Sequence, residues 1–421
     1  MSHAWHRRRI PAVALLAGAL LLAGCTEDLD DGAACPALCP GQNVVVTDTV
    51  LEAIAFDTVV TGTPSIGSEG ALLLAARGDT IDTRVVMRFD SLTSRITRNG
   101  GDSAITAIDS AYLLVRLNPT LTKVTAPVRI DLYDVDTTAA DTSVAAVLAR
   151  FRADRLLGGS TLDTNQVKDS LRVYFDNAKL LALITGRKRL RVGLRVTSTK
   201  GAVLSLGSYD VSAPTVLKYD PVPSDTAIDE ISVGLRSTTP TDDFELQTDL
   251  VDYTIIAAAP ALPPPDILSV GGLPARRSYL RFLVPPRILD SSTVLRATLL
   301  LTQVPVPLLA RTDSTLLLPQ LVLAGEEVTD YARAAGLLSA FPVDTLRVSA
   351  ADSGVKQIEV AAALRQWTTE NPYKQQRAIV IRANDEALTI GEARFYSTRA
   401  ASHLRPRLRV SYSLRTTFGI P

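Results

Sequence analysis

The chain reads as an all-β protein built of two tandem antiparallel β-sandwiches with one or two short helices each, and three observations predict it. From about Asn43 onward, short runs rich in Val, Ile, Leu, Thr and Tyr are separated by clusters of Gly, Pro, Asn, Asp and Ser, the texture of many short strands joined by turns. Several of those runs alternate apolar and polar residues with period two. The order of runs in the first half recurs in the second.

Taken in chain order, residues 1–24 have the zones of an export signal. Arg7, Arg8 and Arg9 form a positive start, residues 10–22 an apolar stretch, and LAGC (22–25) sets small residues before Cys25. The apolar stretch is too short for a stable bilayer span, which needs about 20 residues. LAGC resembles the bacterial lipobox, in which the cysteine is acylated and becomes the mature N-terminus. Two or three acyl chains, at about 0.8 kcal/mol per buried CH₂, anchor a protein stably. The alternative is an ordinary secretory signal that happens to end at a cysteine. Thr26 is not the Asp that resembles an inner-membrane retention signal, so the expected location is the outer membrane, on its periplasmic or surface face. Residues 25–42 read as an acidic tether in which Cys35 and Cys39, in ACPALCP, are expected to form a disulfide in an oxidising compartment, with free thiols as the alternative.

The strand runs follow. In AYLLVRL (111–117), Ala111, Leu113, Val115 and Leu117 face one way and Tyr112, Leu114 and Arg116 the other; in RLRVGLRV (189–196), Leu190, Val192, Leu194 and Val196 oppose Arg189, Arg191 and Arg195. Such strands predict sheets with one dry and one wet face. Asp176 is placed to cap a short helix through NAKLLALI (177–184), AAALRQW (361–367) predicts a second, and EEVTDYARAAGLL (326–338) is a third candidate.

The repeat sets the domains. FDTVV (56–60) matches DYTII (252–256), VVMRF (85–89) matches SYLRF (278–282), and AYLLV (111–115) matches ATLLL (297–301). The Leu180/Leu183 helix then matches Leu364/Trp367, LRVGLRV (190–196) matches RAIVIRA (377–383), and PTVLKY (214–219) matches PRLRVSY (406–412). A duplication of this size predicts two modules, 43–221 and 222–421, meeting in YDPVPSDT (219–226) near Pro221; TPTDDFE (239–245) is a competing boundary. PALPPPD (260–266) reads as a rigid loop inside the second module.

These segments carry a family resemblance. Each module resembles a DNRLRE-type domain, a disaggregatase-related repeat grouped with carbohydrate-binding modules. In the first copy the resemblance rests on FDTVV, TRVVMRFD (83–90) and ITAIDSAYLLVRL (105–117). In the second it rests on IEVAAALRQW (358–367), RAIVIRA and EARFYSTRAASHLRPRLRVSY (392–412). It covers most of residues 50–415 and implies a jelly-roll-like sandwich of the kind found on secreted and cell-surface proteins. The first copy departs from it, having no Trp at the Trp367 position and no ARFYS segment.

The residues narrow the chemistry. Lysine plus arginine and aspartate plus glutamate number 44 each, and losing the three signal arginines leaves a small acidic excess, so there is no electrostatic footprint for nucleic acid. His403 is the one histidine outside the signal, and no GxSxG, HExxH or P-loop pattern occurs, so no catalytic residue is assigned. Paired carboxylates could hydrolyse glycosides, but no pair is singled out by spacing. Asp131, Asp134 and Asp136 with Asp141 offer oxygens for Ca²⁺ in a pattern unlike an EF-hand and read as turn acids, so neither a metal nor a cofactor is expected. Arg187, Lys188 and Arg189 read as a solvated turn. Sugar binding favours an exposed aromatic platform, for which Trp367 and Tyr373 are the candidates, with core packing as the competing role for Trp367. The expectation is a non-catalytic, lipid-anchored envelope protein with adhesive, scaffolding or glycan-binding modules. Its partners are the membrane and a polysaccharide or an envelope protein; an accessory lipoprotein or a polysaccharide-active enzyme is the alternative.

Overall fold

The computed structural model describes residues 45–415 apart from 63–65, 68, 91, 99–100, 138–142, 187, 210–213, 222–229, 237–249, 308–312, 325–326, 341 and 369–377. Cys25, Cys35, Cys39 and Tyr373 therefore lie outside the described residues. The chain opens with β1 (Val46–Leu51) and β2 (Ile54–Gly62), followed by the hairpin of β3 (Leu72–Arg77) and β4 (Ile81–Arg88) and a small one of β5 (Arg95–Arg98) and β6 (Gly101–Ala104). Next come β7 (Ala111–Arg116), β8 (Lys123–Val124), β9 (Val128–Asp134), helix α1 (Val144–Leu148), β10 (Leu156–Leu162), β11 (Ser170–Tyr174), helix α2 (Asn177–Thr185), β12 (Arg191–Ser198), β13 (Ala202–Leu206) and β14 (Val216–Tyr219). The second half runs through β15 (Ile231–Val233), β16 (Asp252–Ala258), β17 (Ile267–Gly271), β18 (Ala275–Phe282), helix α3 (Pro286–Leu289), β19 (Ser292–Val304) and β20 (Ser314–Val322). Helix α4 (Tyr331–Ala335), β21 (Leu346–Ser349), β22 (Gly354–Glu359), helix α5 (Ala361–Thr368), β23 (Ala378–Ala383), β24 (Glu392–Tyr396) and β25 (Arg407–Leu414) complete it.

The protein is all-β, as its alternation predicts, with antiparallel strand pairs and short helices only. Two helices form where the sequence places them, Asp176 capping α2 by accepting from the backbone N–H groups of Ala178 and Lys179 and α5 starting at Ala361, whereas the one-turn helices α1 and α3 are not foreseen by it. In EEVTDYARAAGLL only Tyr331–Ala335 is helical, capped by Asp330.

The strand order of the first half is repeated in the second. An eight-stranded sheet in the order β10-β9-β12-β4-β3-β13-β8 faces a four-stranded one in the order β11-β7-β14-β15. In the second half the corresponding strands run β21-β20-β23-β18-β17-β24 and β19-β25-β1, joined into one sheet because β19 is a single strand where the first half has β7 and β8. The first core fills the space between the two sheets of the first half, with Leu74, Met87, Leu132 and Leu194 from one side and Leu113, Val173 and Leu217 from the other. The second core gathers Leu280, Leu299, Leu301, Ile379 and Phe395.

The leading strands of each half are exchanged. β2 pairs not with β4 but with β18, from Gly62 opposite Ala275 to Ile54 opposite Phe282. Reciprocally, β16 pairs with β4, from Asp252 opposite Met87 to Ala258 opposite Asp82. Their predecessors follow: β1 lies beside β25 and β15 beside β14. Leu51, Ile54 and Val59 thus pack against the second core, while Val233 and Val251 belong to the first. With this exchange, Asp48–Pro421 forms one compact unit.

Burial departs from the simple one-sided pattern along β12. Arg191 is buried, donating to Asp90 at 2.8 Å, and Gly193 leaves room for Phe151 and Val135, whose side chains would clash with a Cβ there. The face predicted to be wet is covered by Val135, Val147, Tyr253 and Ile255, a small core of its own. A charged residue on such a face survives only when paired, as Arg191 is.

Candidate functional site

The four-stranded sheet has one face on the first core and one outside it. Alternation decides which side chains are which: Leu113, Val173 and Leu217 point in, so Tyr112, Tyr174 and Lys218 point out. Register then lines them up. Tyr174 on β11 is directly opposite Tyr112 on β7, Tyr112 is opposite Lys218 on β14, and Lys218 is opposite Ser232 on β15. The result is a stripe across four strands, with Arg172 in the next row opposite Leu114.

Within the stripe the two tyrosine rings lie 5.7 Å apart and tilted at 53°, a favourable aromatic arrangement. Tyr174 is 47% exposed and Tyr112 only 6%. Tyr112 is sheltered because the Arg172 guanidinium sits 4.7 Å over its ring and its hydroxyl donates to Glu230 at 2.8 Å. Lys218 donates to the other Glu230 oxygen at 2.7 Å. Burial raises the Tyr112 phenol above its ordinary range, and the neighbouring carboxylate raises it further. Burial also pushes the Glu230 carboxyl up, but the hydrogen bonds from Lys218 and Tyr112 outweigh this and hold it below the usual value. The same hydrogen bond raises the Lys218 ammonium. At neutral pH the face therefore presents an ionised carboxylate, two cations and one open ring, each fixed in place. Glycoside hydrolysis needs two facing carboxyl groups, and among its described residues this stripe holds one.

The residues singled out by sequence are placed differently. Trp367 is 8% exposed and packs on α5 with Leu364, Ala363 and Ile358 in the second core, so its ring offers no open platform; in the matching helix α2, Leu180, equivalent to Leu364, is fully buried, and Leu183, equivalent to Trp367, is partly buried against the first core. Trp367 is not brought together with any exposed ring by the described structure, and Tyr373 is outside it. In ARFYS, where Phe395 and Tyr396 alternate along β24, Phe395 is buried. His403 is exposed in a turn before β25. The aspartates of DLYDVD are held by arginines: Asp131 pairs with Arg129 at 2.8 Å, Asp134 with Arg155 at 2.9 Å, and Asp136 with Arg189 and Arg191 at 3.6 and 3.5 Å. Guanidinium groups supply the positive charge there, and Arg189 of the basic turn is one of them. Among the described residues no group of acids, histidines or cysteines is arranged to hold a metal ion, and no helix is long and apolar enough to cross a membrane.

Sequence reasoning missed Tyr174 as a surface aromatic. The signal was present, since alternation in AYLLVRL sets Tyr112 opposite the core face, but only the pairing register brings Tyr174 beside it. A second concavity, of about 820 Å³, lies between the halves, where Lys123 pairs with Asp313 at 2.9 Å above a floor that includes Ile81, Val203 and Ile390. It holds no exposed ring.

No protein-family model matches the chain, and no curated protein matches it. Among solved structures, it is similar to the infectious bursal disease virus VP2 subviral particle, 10% identical over 89% of this chain and 78% of that one, at a TM-score of 0.11. It is also similar to the T13 particle of the same virus, 11% identical over 90% and 76%, at a TM-score of 0.11. At these scores the likeness carries no argument about fold or function.

Proposed function

We propose that the chain is a non-catalytic, lipid-anchored protein of the bacterial cell envelope whose first half contacts glycans through the Tyr112–Tyr174 stripe. The observation that carries the reading is the half-open Tyr174 ring seated beside fixed hydrogen-bonding groups, Arg172, Lys218 and Glu230. A flat ring covers the apolar face of a sugar at low entropic cost, and pre-paired polar side chains bind its hydroxyls without further ordering. The signal-like residues 1–24 and Cys25 support attachment to the outer membrane. The repeated strand order supports the tandem jelly-roll-like organisation that the DNRLRE resemblance implies, although the glycan contact is placed on the first copy rather than at Trp367.

The test is a glycan array probed with the protein and with Tyr174→Ala. Loss of one stacked ring, about 0.5–1.5 kcal/mol beyond its area, weakens binding by about two- to tenfold or more. A protein that retains no glycan, or one whose binding is unchanged by Tyr174→Ala, would defeat the proposal.

A further inference from the structure

Each half has a slot for one extended strand, along β4 in the first and β18 in the second, and the two slots are built alike. In both, the incoming strand places an aspartate at the same register: Asp57 opposite Leu280 and Asp252 opposite Met87. In both, that aspartate accepts from the backbone N–H of the residue after a serine at the end of the neighbouring strand. Asp57 accepts from the Thr398 N–H at 2.6 Å and the Thr398 hydroxyl at 2.8 Å, and Asp252 from the Tyr209 N–H at 2.7 Å.

The connections determine which strand reaches which slot. Between β16 and β17 the chain carries Pro260, Pro263, Pro264 and Pro265, and proline-rich connections are extended and stiff, so β16 is carried away from β18 and into the first half. The slot along β18 is then left for β2. The connection after β2 has no such proline run and includes Gly67, in the left-handed region at φ 83°, and Gly70. The far end of β2 is fitted closely to the second half: a Cβ at Gly62 would lie 2.3 Å from the Tyr331 ring, which rests 4.1 Å from the Arg277 guanidinium and donates to Glu386 at 3.1 Å.

We infer that β1–β2 is a transferable donor segment and that a second copy of this chain is its other acceptor, two chains exchanging residues 45–62 into each other's β18 slot. The pairing of β2 with β18, the bonds from Thr398 to Asp57 and the fit of Gly62 against Tyr331 are all with the second half, so they are the same whether the strand comes from its own chain or from a partner. Exchange of an identical element between protomers is a low-cost route to a two-fold dimer, because it reuses contacts that the single chain already makes.

The test uses the processed chain with Cys25, Cys35 and Cys39 changed to Ser. Phe56 and Arg281 are directly opposed in register, so Phe56→Cys and Arg281→Cys are made singly and together. Two single-cysteine chains, refolded together at high concentration and oxidised, are expected to give a disulfide-linked species of twice the chain mass. The double variant, refolded at low concentration, is expected to cross-link within itself. Copies with unaltered 45–62 and two different tags, which need no engineered cysteine there, are expected to co-purify after joint refolding and not after mixing of folded protein. Single-cysteine chains that never cross-link while the double variant does so internally would overturn the inference. So would tags that never co-purify, or that co-purify merely on mixing folded copies.

Discussion

The ring of Trp367 closes the second core together with Leu364 and Ile358, so Trp367→Ala is expected to cost about 3–5 kcal/mol of stability, read as a lower urea midpoint, while leaving glycan contact at Tyr174 intact in the folded fraction. The same scale decides an alkaline limit. Burial of Tyr219, whose hydroxyl donates to the Thr93 carbonyl at 2.7 Å, pushes its phenol up to about 12, against about 10 for an unfolded tyrosine. Below pH 10 both states keep the proton and the fold is unaffected. As pH rises from about 10 to about 12 the unfolded chain releases a proton that the folded chain retains, so stability falls through that window. Urea midpoints measured across it should decline, and Tyr219→Phe should make the decline shallower. Individual roles were partly legible: alternation put Tyr112 on the outer face, but nothing in one strand's sequence reveals the neighbour that the register supplies. Arg191 shows the converse, because a face read as wet from its arginines is dry once Asp90 pairs with it and Val135, Val147, Phe151 and Tyr253 cover it.

At the scale of elements, strand existence was legible and strand partnership was not. β2 and β16 match in sequence as FDTVV and DYTII, but in the sheets Asp57 and Asp252 take the equivalent place, so the sequence match is one residue out of step, and partnership rests on the connections, where the prolines of 260–265 act, and on the fit of Gly62 against Tyr331. Exchange makes damage appear at a distance. Thr58→Pro, at the position paired with Tyr279, takes a backbone donor out of β2, and hydrogen exchange should show lost protection in β18 and β23 of the second half, while β4, which neighbours β2 in sequence, keeps its protection through β16. Loss of protection in β4 instead would mean that β2 serves its own half.

At the scale of the whole molecule, the two repeats are linked by pairing as well as by peptide bonds. A protease site engineered between Val222 and Pro223, once cut, should leave fragments that co-elute on gel filtration, because β1–β2 remains on the second half and β15–β16 on the first. Fragments that separate without denaturant would contradict the reciprocal pairing. The duplication itself was legible from ordered short matches, since core-facing residues recur wherever the same packing recurs. How the copies interlock was not legible, because the proline-rich 260–265 connection reads as a loop within the second module and its effect appears only in the pairing of strands far apart in sequence.

The bond from Thr398 to Asp57 joins positions 341 apart, so β2 is seated only after a long stretch of chain that follows it has been made. A chain cut short before β18 would leave β2 unclaimed, and one missing its start would leave β18 with a bare, adhesive edge. The pairing of β2 with β18 thereby ties the two repeats into one folding event, and pieces of this polypeptide that carry only one of these strands should be prone to aggregation rather than persist as half-proteins.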